Sequence, residues 1–286
     1  MPELPEVEIV RQGLLTKIVG ETIAKVEILR EQSVAYPTPE KFSKALRGLT
    51  FTDIDRRGKY LLLHLSKQSM LVIHLRMSGR LLLFSDKNSA KNKSAQKLKF
   101  LRVRILLSNG KELCFDDMRV FGRLWYVSNA DKLFTVIPSL AKLGVEPLYD
   151  LTTSRLQKLF AKRRQGIKSA LLDQTLIAGI GNIYADEILF QAGIHPLTAA
   201  EKIGNKKAKD LARIIPLTLK RAIELGGSSI KDFVDSDGVN GNYQHESLVY
   251  GRTNKPCRIC QSKIERIKIA GRSAHFCPVC QNAKSY

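Results

Sequence analysis

The chain has 286 residues, 44% of them hydrophobic, and Lys plus Arg outnumber Asp plus Glu by 47 to 27, a formal charge of +20. The length suits two modules, or two with a small appendage, and the apolar share excludes a disordered polymer. No apolar run approaches the roughly 20 residues that span a bilayer, and the first residues lack a basic stretch followed by an apolar one, so a soluble cytoplasmic protein is expected.

The charge excess calls for an anionic partner, nucleic acid ahead of a membrane surface. In chain order, "EVEIVRQGLLTKI" repeats Val7, Val10, Leu14 and Ile18 at helical spacing and predicts a helix starting just after Pro5. The rest of the first 128 residues reads mostly as strand: "YLLLHL" (60–65), "LVIHLRMSGRLLLF" (71–84), "LRVRILL" (101–107) and "ELCFDD" (112–117). Asn109-Gly110 is a hairpin turn between the last two. Short strands with turn residues between them predict a β-sandwich or barrel. A Lys-rich loop, 85–99, interrupts them.

A connector covers 131–151, and the period then becomes helical. "TTSRLQKLFAKR", "SALLDQTLIA", "NIYADEILFQAG" and "KKAKDLARIIPLTLKRAIELGG" predict a helical domain over 152–240, ending in the Gly- and Asp-rich loop "DSDGVNGNY". The last segment, 247–286, is a cysteine module.

Cys257, Cys260, Cys277 and Cys280 form C-x2-C, sixteen residues, C-x2-C. This is zinc-finger spacing, since each turn points two thiolates into one tetrahedron. His275 could compete as a ligand, but four thiolates make it superfluous. Cys114, in an apolar strand, reads as a buried small hydrophobe. From 251 to 286 the module carries eight Lys or Arg and one Glu, and "AGRSAHF" reads as a hairpin tip presenting Arg272. Such a ribbon can enter a DNA groove, or it can be a structural knob with a solvated Arg.

Other positions carry two readings each. Asn182, in "AGIGNIYADE", can cap its own helix or join an anion site at the helix N-terminus. The run Lys162, Arg163, Arg164 is a phosphate contact or plain solvated surface. Lys59 opens a strand as an edge residue or a functional cation. Arg119 and Phe121, two apart in "FDDMRVFGRLW", suit a wedge into a base stack, although Phe121 alone reads as core. His74 and Met77, in "HLRMSG", also read singly as core.

Taken in order, "PELPEVE", "GKYLLL", "HLRMSG", "RVFG", "GIGNIYADEILF", "GGSSIKDF…DG" and the four-cysteine module resemble the bacterial formamidopyrimidine-DNA glycosylase family over nearly the whole chain. The resemblance implies an α+β multidomain fold: a two-layer β-sandwich with an N-terminal helix (1–130), a helix-two-turn-helix domain (152–240) with a lesion-covering loop near 231–243, and a zinc-finger hairpin. It implies a monomeric base-excision-repair enzyme that binds duplex DNA, removes 8-oxoguanine and formamidopyrimidines, and cleaves the strand by β,δ-elimination. In that reading Pro2 is the Schiff-base nucleophile, Glu3 the acid for sugar ring opening, and Glu6 shapes their site. Lys59 and Arg272 assist β- and δ-elimination. His74 and Asn182 join them on the phosphate, and Met77, Arg119 and Phe121 fill the gap left by the everted base.

The chain departs from the family in three places. "KFLRVR" stands where His-Asp-His is common, with Arg102 as a substitute DNA contact; Arg76 stands where glycine is frequent; and "GSS" replaces "GTT". Two alternatives remain at this level. One is an endonuclease VIII-like enzyme for oxidised pyrimidines, which usually has Gly at the position of Leu4. The other is a zinc-dependent DNA-binding protein without catalysis.

Overall fold

The computed structural model describes residues 1–84, 98–229 and 233–282, so most of the Lys-rich loop, and Lys231 and Asp232 of the covering loop, lie outside the described residues. The chain divides into two units. The first comprises Met1–Ala141 with Gly226–Asn242, and the second Lys142–Leu225 with Tyr243–Tyr286. Residues Gly226–Asn242, which sequence attached to the helical segment, therefore cluster with the first unit.

Helix α1 (Leu4–Ile18) starts two residues earlier than periodicity suggested. Glu3 is its cap: Glu3 N–H donates to Glu6 Oε2 at 2.8 Å, while the Glu3 carboxylate accepts from the backbone of Glu6. Pro5 is accommodated because a first-turn N–H has no intrahelical partner to lose.

The strands are β1 (Ile23–Ile28), β2 (Val34–Tyr36), then after helix α2 (Pro39–Leu46) β3 (Phe51–Arg57), β4 (Tyr60–Leu65), β5 (Ser69–His74), β6 (Gly79–Phe84), β7 (Leu101–Leu107), β8 (Glu112–Asp117) and β9 (Arg123–Val127). They form two sheets, ordered β1-β7-β8-β6 and β2-β9-β5-β4-β3. Leu14 and Ile18 of α1, Phe51, Leu63 and Ile73 of one sheet, and Val103, Leu113 and Phe115 of the other share one core. The sandwich expected from sequence is thus present, with α1 packed into it. Cys114 is fully buried in β8, and its thiol is pushed up to about 12, chiefly by burial and then by the Glu112 charge. It is an inert core residue.

Two short helices, α3 (Leu133–Val136) and α4 (Pro138–Ala141), close the first unit. In the second unit come α5 (Thr153–Phe160), α6 (Ile167–Leu172), α7 (Asn182–Gln191), α8 (Asn205–Glu224) and α9 (Tyr243–Glu246), then strands β10 (Glu265–Ile269) and β11 (Arg272–Phe276). The "SALLDQTLIA" helix is shorter than expected because Asp173 breaks it: its Oδ1 accepts Thr175 N–H at 2.9 Å and the Thr175 hydroxyl at 2.7 Å. Among the described residues no helix is long and apolar enough to cross a membrane.

A buried ion network ties α1 to the β3–β4 turn. Arg56 Nε sits 2.9 Å from Glu8 Oε2, Arg11 NH2 lies 2.7 Å from Glu8 Oε1, and Arg56 NH1 donates to Gly58 O at 2.9 Å. Burial pushes the Glu8 carboxyl up, but hydrogen bonds and charge from Arg11 and Arg56 outweigh it and hold it below the usual range. Its contribution to stability is therefore present above the ordinary carboxylate pKa and is lost as pH falls. Glu8→Ala should cost about 3–5 kcal/mol, because it strips a buried cation of its carboxylate. Denaturant unfolding measures the loss.

Candidate active site and nucleic-acid interface

In the first unit the residues that precede α1 are unusually well buried for a chain terminus. Pro2 is buried, Glu3 is 3% exposed and Glu6 1%, while Met1 stands half exposed. Glu6 is bonded on both oxygens. Oε2 takes the Glu3 N–H at 2.8 Å, and Oε1 takes the Ser228 N–H at 2.9 Å, so one carboxylate joins the chain start to the 226–242 segment. That segment is pinched at its base. Gly227 has φ +77, and a Cβ on Gly241 would lie 2.2 Å from the carbonyl oxygens of Gly226 and Gly227. Only glycine fits there.

Lys59 lies in the β3–β4 turn and is buried, with the Gly58 carbonyl beside it held by Arg56. His74 ends β5, paired across the sheet with Tyr60 on one side and Arg123 on the other. Its ring meets Tyr60 edge-on at 4.5 Å. Burial first, then the charges of Arg76 and Lys59, depress the imidazole to about 3, so it is neutral at pH 7. Nδ1 accepts the Arg76 N–H at 2.9 Å, which puts the proton on Nε2 and leaves a neutral donor there.

Met77 and Phe121, each read singly as core, are instead 43% and 51% exposed. Arg119 NH1 lies 3.7 Å from Met77 Sδ, which brings the two turns together. Arg102 Nε donates to Asp117 O at 2.7 Å, and its guanidinium lies 5.8 Å from the Phe100 ring centroid.

In the second unit α7 begins at Asn182, with Gly181 as its cap and no side-chain capping bond. Asn182 therefore does not cap its own helix, and its Oδ1 is buried without a hydrogen-bond partner. Gln174 braces the preceding loop, accepting from Gly179 N–H and donating to Ile180 O, both at 2.9 Å. Lys162, Arg163 and Arg164 are exposed after α5, with Lys162 at φ 62.

Arg272 is exposed at the start of β11, just after the Ala270-Gly271 turn, whose φ values of 45 and 79 suit a tight hairpin. Asp186 anchors this hairpin to α7. Its Oδ1 lies 2.6 Å from Lys168 Nζ, and its Oδ2 takes both the His275 N–H and the His275 ring at 2.9 Å. Lys168 Nζ also donates to Ser273 O at 2.6 Å, the residue beside Arg272. His275 is thus a brace and not a metal ligand.

The four sulfurs of Cys257, Cys260, Cys277 and Cys280 lie within 4.8 Å of one another. Cys260–Cys277 is 3.4 Å and Cys257–Cys280 is 3.9 Å. A tetrahedral zinc with Zn–S near 2.3 Å needs sulfurs about 3.8 Å apart, so the cluster fits that ion. Cys257 and Cys277 also pack with Phe190, Val249 and Ile264, and Glu187 grips the N–H groups of Leu248, Val249 and Tyr250 at 2.8–3.0 Å.

A β-sandwich led by a capped helix, a glycine-primed helix start and a basic four-cysteine hairpin are the parts of a zinc-finger nucleic-acid-binding protein. Family models agree along the chain. Residues 1–124 match the formamidopyrimidine-DNA glycosylase N-terminal domain, 143–234 its H2TH domain, and 254–283 the zinc finger found in FPG and IleRS. The formamidopyrimidine-DNA glycosylase of Gloeobacter violaceus is 45% identical, with 99% of each chain covered. That of Rippkaea orientalis is 43% identical, covering 98% of this chain and all of the relative. Among solved structures, Lactococcus lactis Fpg in complex with an abasic site containing DNA matches with a TM-score of 0.88 at 36% identity, over 98% of this chain and 99% of that one. A mutant of the same protein with a Fapy-dG containing DNA also gives 0.88 at 36% identity, over 98% and 100%. The chain belongs to the formamidopyrimidine-DNA glycosylase family.

Several supporting residues were not singled out from sequence. Asp117 had a local signal, since an Asp whose carboxylate accepts the N–H two residues on is a turn former. Glu8–Arg56 and Lys168–Asp186 had none, because their partners are brought together only by packing.

The neutral His74 has a consequence for acid stability. Below pH 6.5 unfolded chains protonate this imidazole, whereas the folded chain does not until about 3, so folded stability falls as pH drops through that window. His74→Gln should flatten the acid side of the Tm-against-pH curve. Identical slopes for parent and variant would contradict the buried neutral ring.

Proposed function

We propose that this chain is a DNA glycosylase and abasic-site lyase of base excision repair, acting on oxidised purines in duplex DNA as a monomer in the cytoplasm, at the nucleoid. The observation that carries the reading is the buried, doubly anchored start of α1, together with full-length kinship to formamidopyrimidine-DNA glycosylases.

In this mechanism Met1 is removed and Pro2 attacks C1′ of the damaged nucleotide. The N–C1′ bond forms as the bond to the base breaks. An α-amine of pKa about 7.8 is neutral in roughly one molecule in seven at pH 7, against roughly one in 2,500 for a lysine, so the terminal position supplies far more neutral amine than a lysine would at the same pH. Proline is a secondary amine, so its adduct is an iminium with no N–H to lose, a permanent electron sink for the eliminations. Glu3 protonates the sugar ring oxygen as the ring opens, and Glu6 fixes Glu3 by its backbone.

Loss of the C2′ proton with the 3′-phosphate, and then of the C4′ proton with the 5′-phosphate, completes the cut. Lys59 assists the first elimination and Arg272 the second. The neutral Nε2–H of His74 and the amide of Asn182 join these two cations as phosphate ligands. Arg102, Lys162, Arg163 and Arg164 add sequence-independent backbone contacts. The structural zinc holds the hairpin that presents Arg272. The base must leave the stack to be reached, and Met77, Arg119 and Phe121 occupy the space it vacates. The segment 231–243 covers the everted base.

Incubation with an 8-oxoguanine duplex should give a one-nucleotide gap with phosphate on both ends, and faster cleavage than a thymine glycol duplex. The reverse preference would favour the oxidised-pyrimidine reading. Binding with no base release from either duplex would favour a non-catalytic zinc protein.

A further inference from the structure

The two turns that carry Met77, Arg119 and Phe121 converge on one carboxylate. Asp117 ends β8 and is fully buried. Its Oδ1 accepts the Ser78 hydroxyl at 2.5 Å and the Arg119 N–H at 3.2 Å, and its Oδ2 accepts the Gly122 N–H at 2.8 Å. Ser78 Oγ accepts the same Arg119 N–H at 3.1 Å. Gly79 pairs with Asp117 across the β6–β8 ladder, so the turn before β6 and the loop after β8 start side by side.

Both turns are held in unfavourable backbone. Arg76, before Met77, has φ 55, and Val120, between Arg119 and Phe121, has φ 57. A β-branched residue adopts the left-handed region only when its surroundings impose it. The far end of the loop is as tightly set. A Cβ at Gly122 would lie 2.4 Å from Phe115 Cζ and 3.1 Å from Asp117 Oδ2.

The result is an exposed Met and Phe kept off the protein surface by a buried carboxyl group. A side chain that must enter a base stack does so at least cost when it is already projecting. We propose that Asp117, through Ser78, is the positioning residue of the wedge: it sets Met77, Arg119 and Phe121 before DNA arrives and does not itself touch DNA. This rests on the wedge reading of those three residues. It follows that Asp117 matters when a stacked base must be everted, and much less when the base is already gone.

The test compares two substrates in one duplex context, an 8-oxoguanine and a preformed abasic site, under single-turnover conditions. Fluorescence of 2-aminopurine opposite the lesion reads insertion directly. Asp117→Asn keeps the shape but turns one acceptor into a donor facing N–H or O–H groups. It should slow excision of 8-oxoguanine by on the order of tenfold or more, the scale of one charge-assisted hydrogen bond, and blunt the fluorescence change. Abasic-site cleavage should stay within about threefold of the parent, since removing one hydrogen bond from the wedge leaves the chemical groups in place. Ser78→Ala, which removes only the bridge, should show the same split more weakly, and it decides the matter if Asp117→Asn melts well below the parent.

Equal losses on both substrates with Ser78→Ala, or undiminished excision with both variants, would overturn the proposal. Phe121→Ala separates the two layers of the argument. If it excises 8-oxoguanine at the parent rate, the wedge reading itself fails. If it is slow while Asp117→Asn and Ser78→Ala are not, only the role of Asp117 fails.

Discussion

The working parts of this protein depend on buried carboxylates that grip backbone N–H groups. Glu6 does this for the chain start and for Ser228, Asp117 for the loop after β8 that carries Arg119 and Phe121, Asp186 for the cysteine hairpin, and Glu187 for the segment before the first C-x2-C. A loop has no ladder to hold it, and a carboxylate that accepts two or three N–H bonds gives it a fixed point. The same choice shapes the surface. Glu3, Glu6, Glu8, Asp116, Asp117, Asp186 and Glu187 are all buried, whereas Lys59 and Lys168 are the only buried lysines among the described residues. The exterior is therefore more cationic than the formal +20 suggests, which suits a polyanionic partner.

Much of the architecture was legible in the sequence, for reasons that are local. Val7, Val10, Leu14 and Ile18 repeat at helical spacing, and all are buried on α1. The C-x2-C pairs required a shared tetrahedron, and their sulfurs form one cluster. Asn109-Gly110 marked the β7–β8 turn, and Gly110 takes φ 85. Composition and periodicity failed where a residue's role depends on what packs beneath it. Met77 and Phe121 are apolar and look like core, yet both stand exposed, beside residues of positive φ, Arg76 and Val120. Asn182 looks like a helix cap, yet Gly181 occupies that position.

Long-range partners were beyond local signals altogether. Nothing near Glu6 in the sequence announces Ser228, and nothing near Lys168 announces Asp186 and Ser273. The return of Gly226–Asn242 to the first unit is of the same kind. It requires Gly241 to approach the Gly226 and Gly227 carbonyls and Phe233 to enter the sandwich core, and neither contact has a sequence period.

The central claim is chemical: the amine that attacks DNA is the one on Pro2, freed by loss of Met1. Reduction with borohydride during turnover on an 8-oxoguanine duplex, followed by proteolysis and mass spectrometry of the cross-linked peptide, tests it most directly. The account predicts one adduct, on Pro2 of chains lacking Met1, and none on chains given an N-terminal extension. An adduct on Lys59 or another lysine, or undiminished trapping by the extended chain, would contradict it.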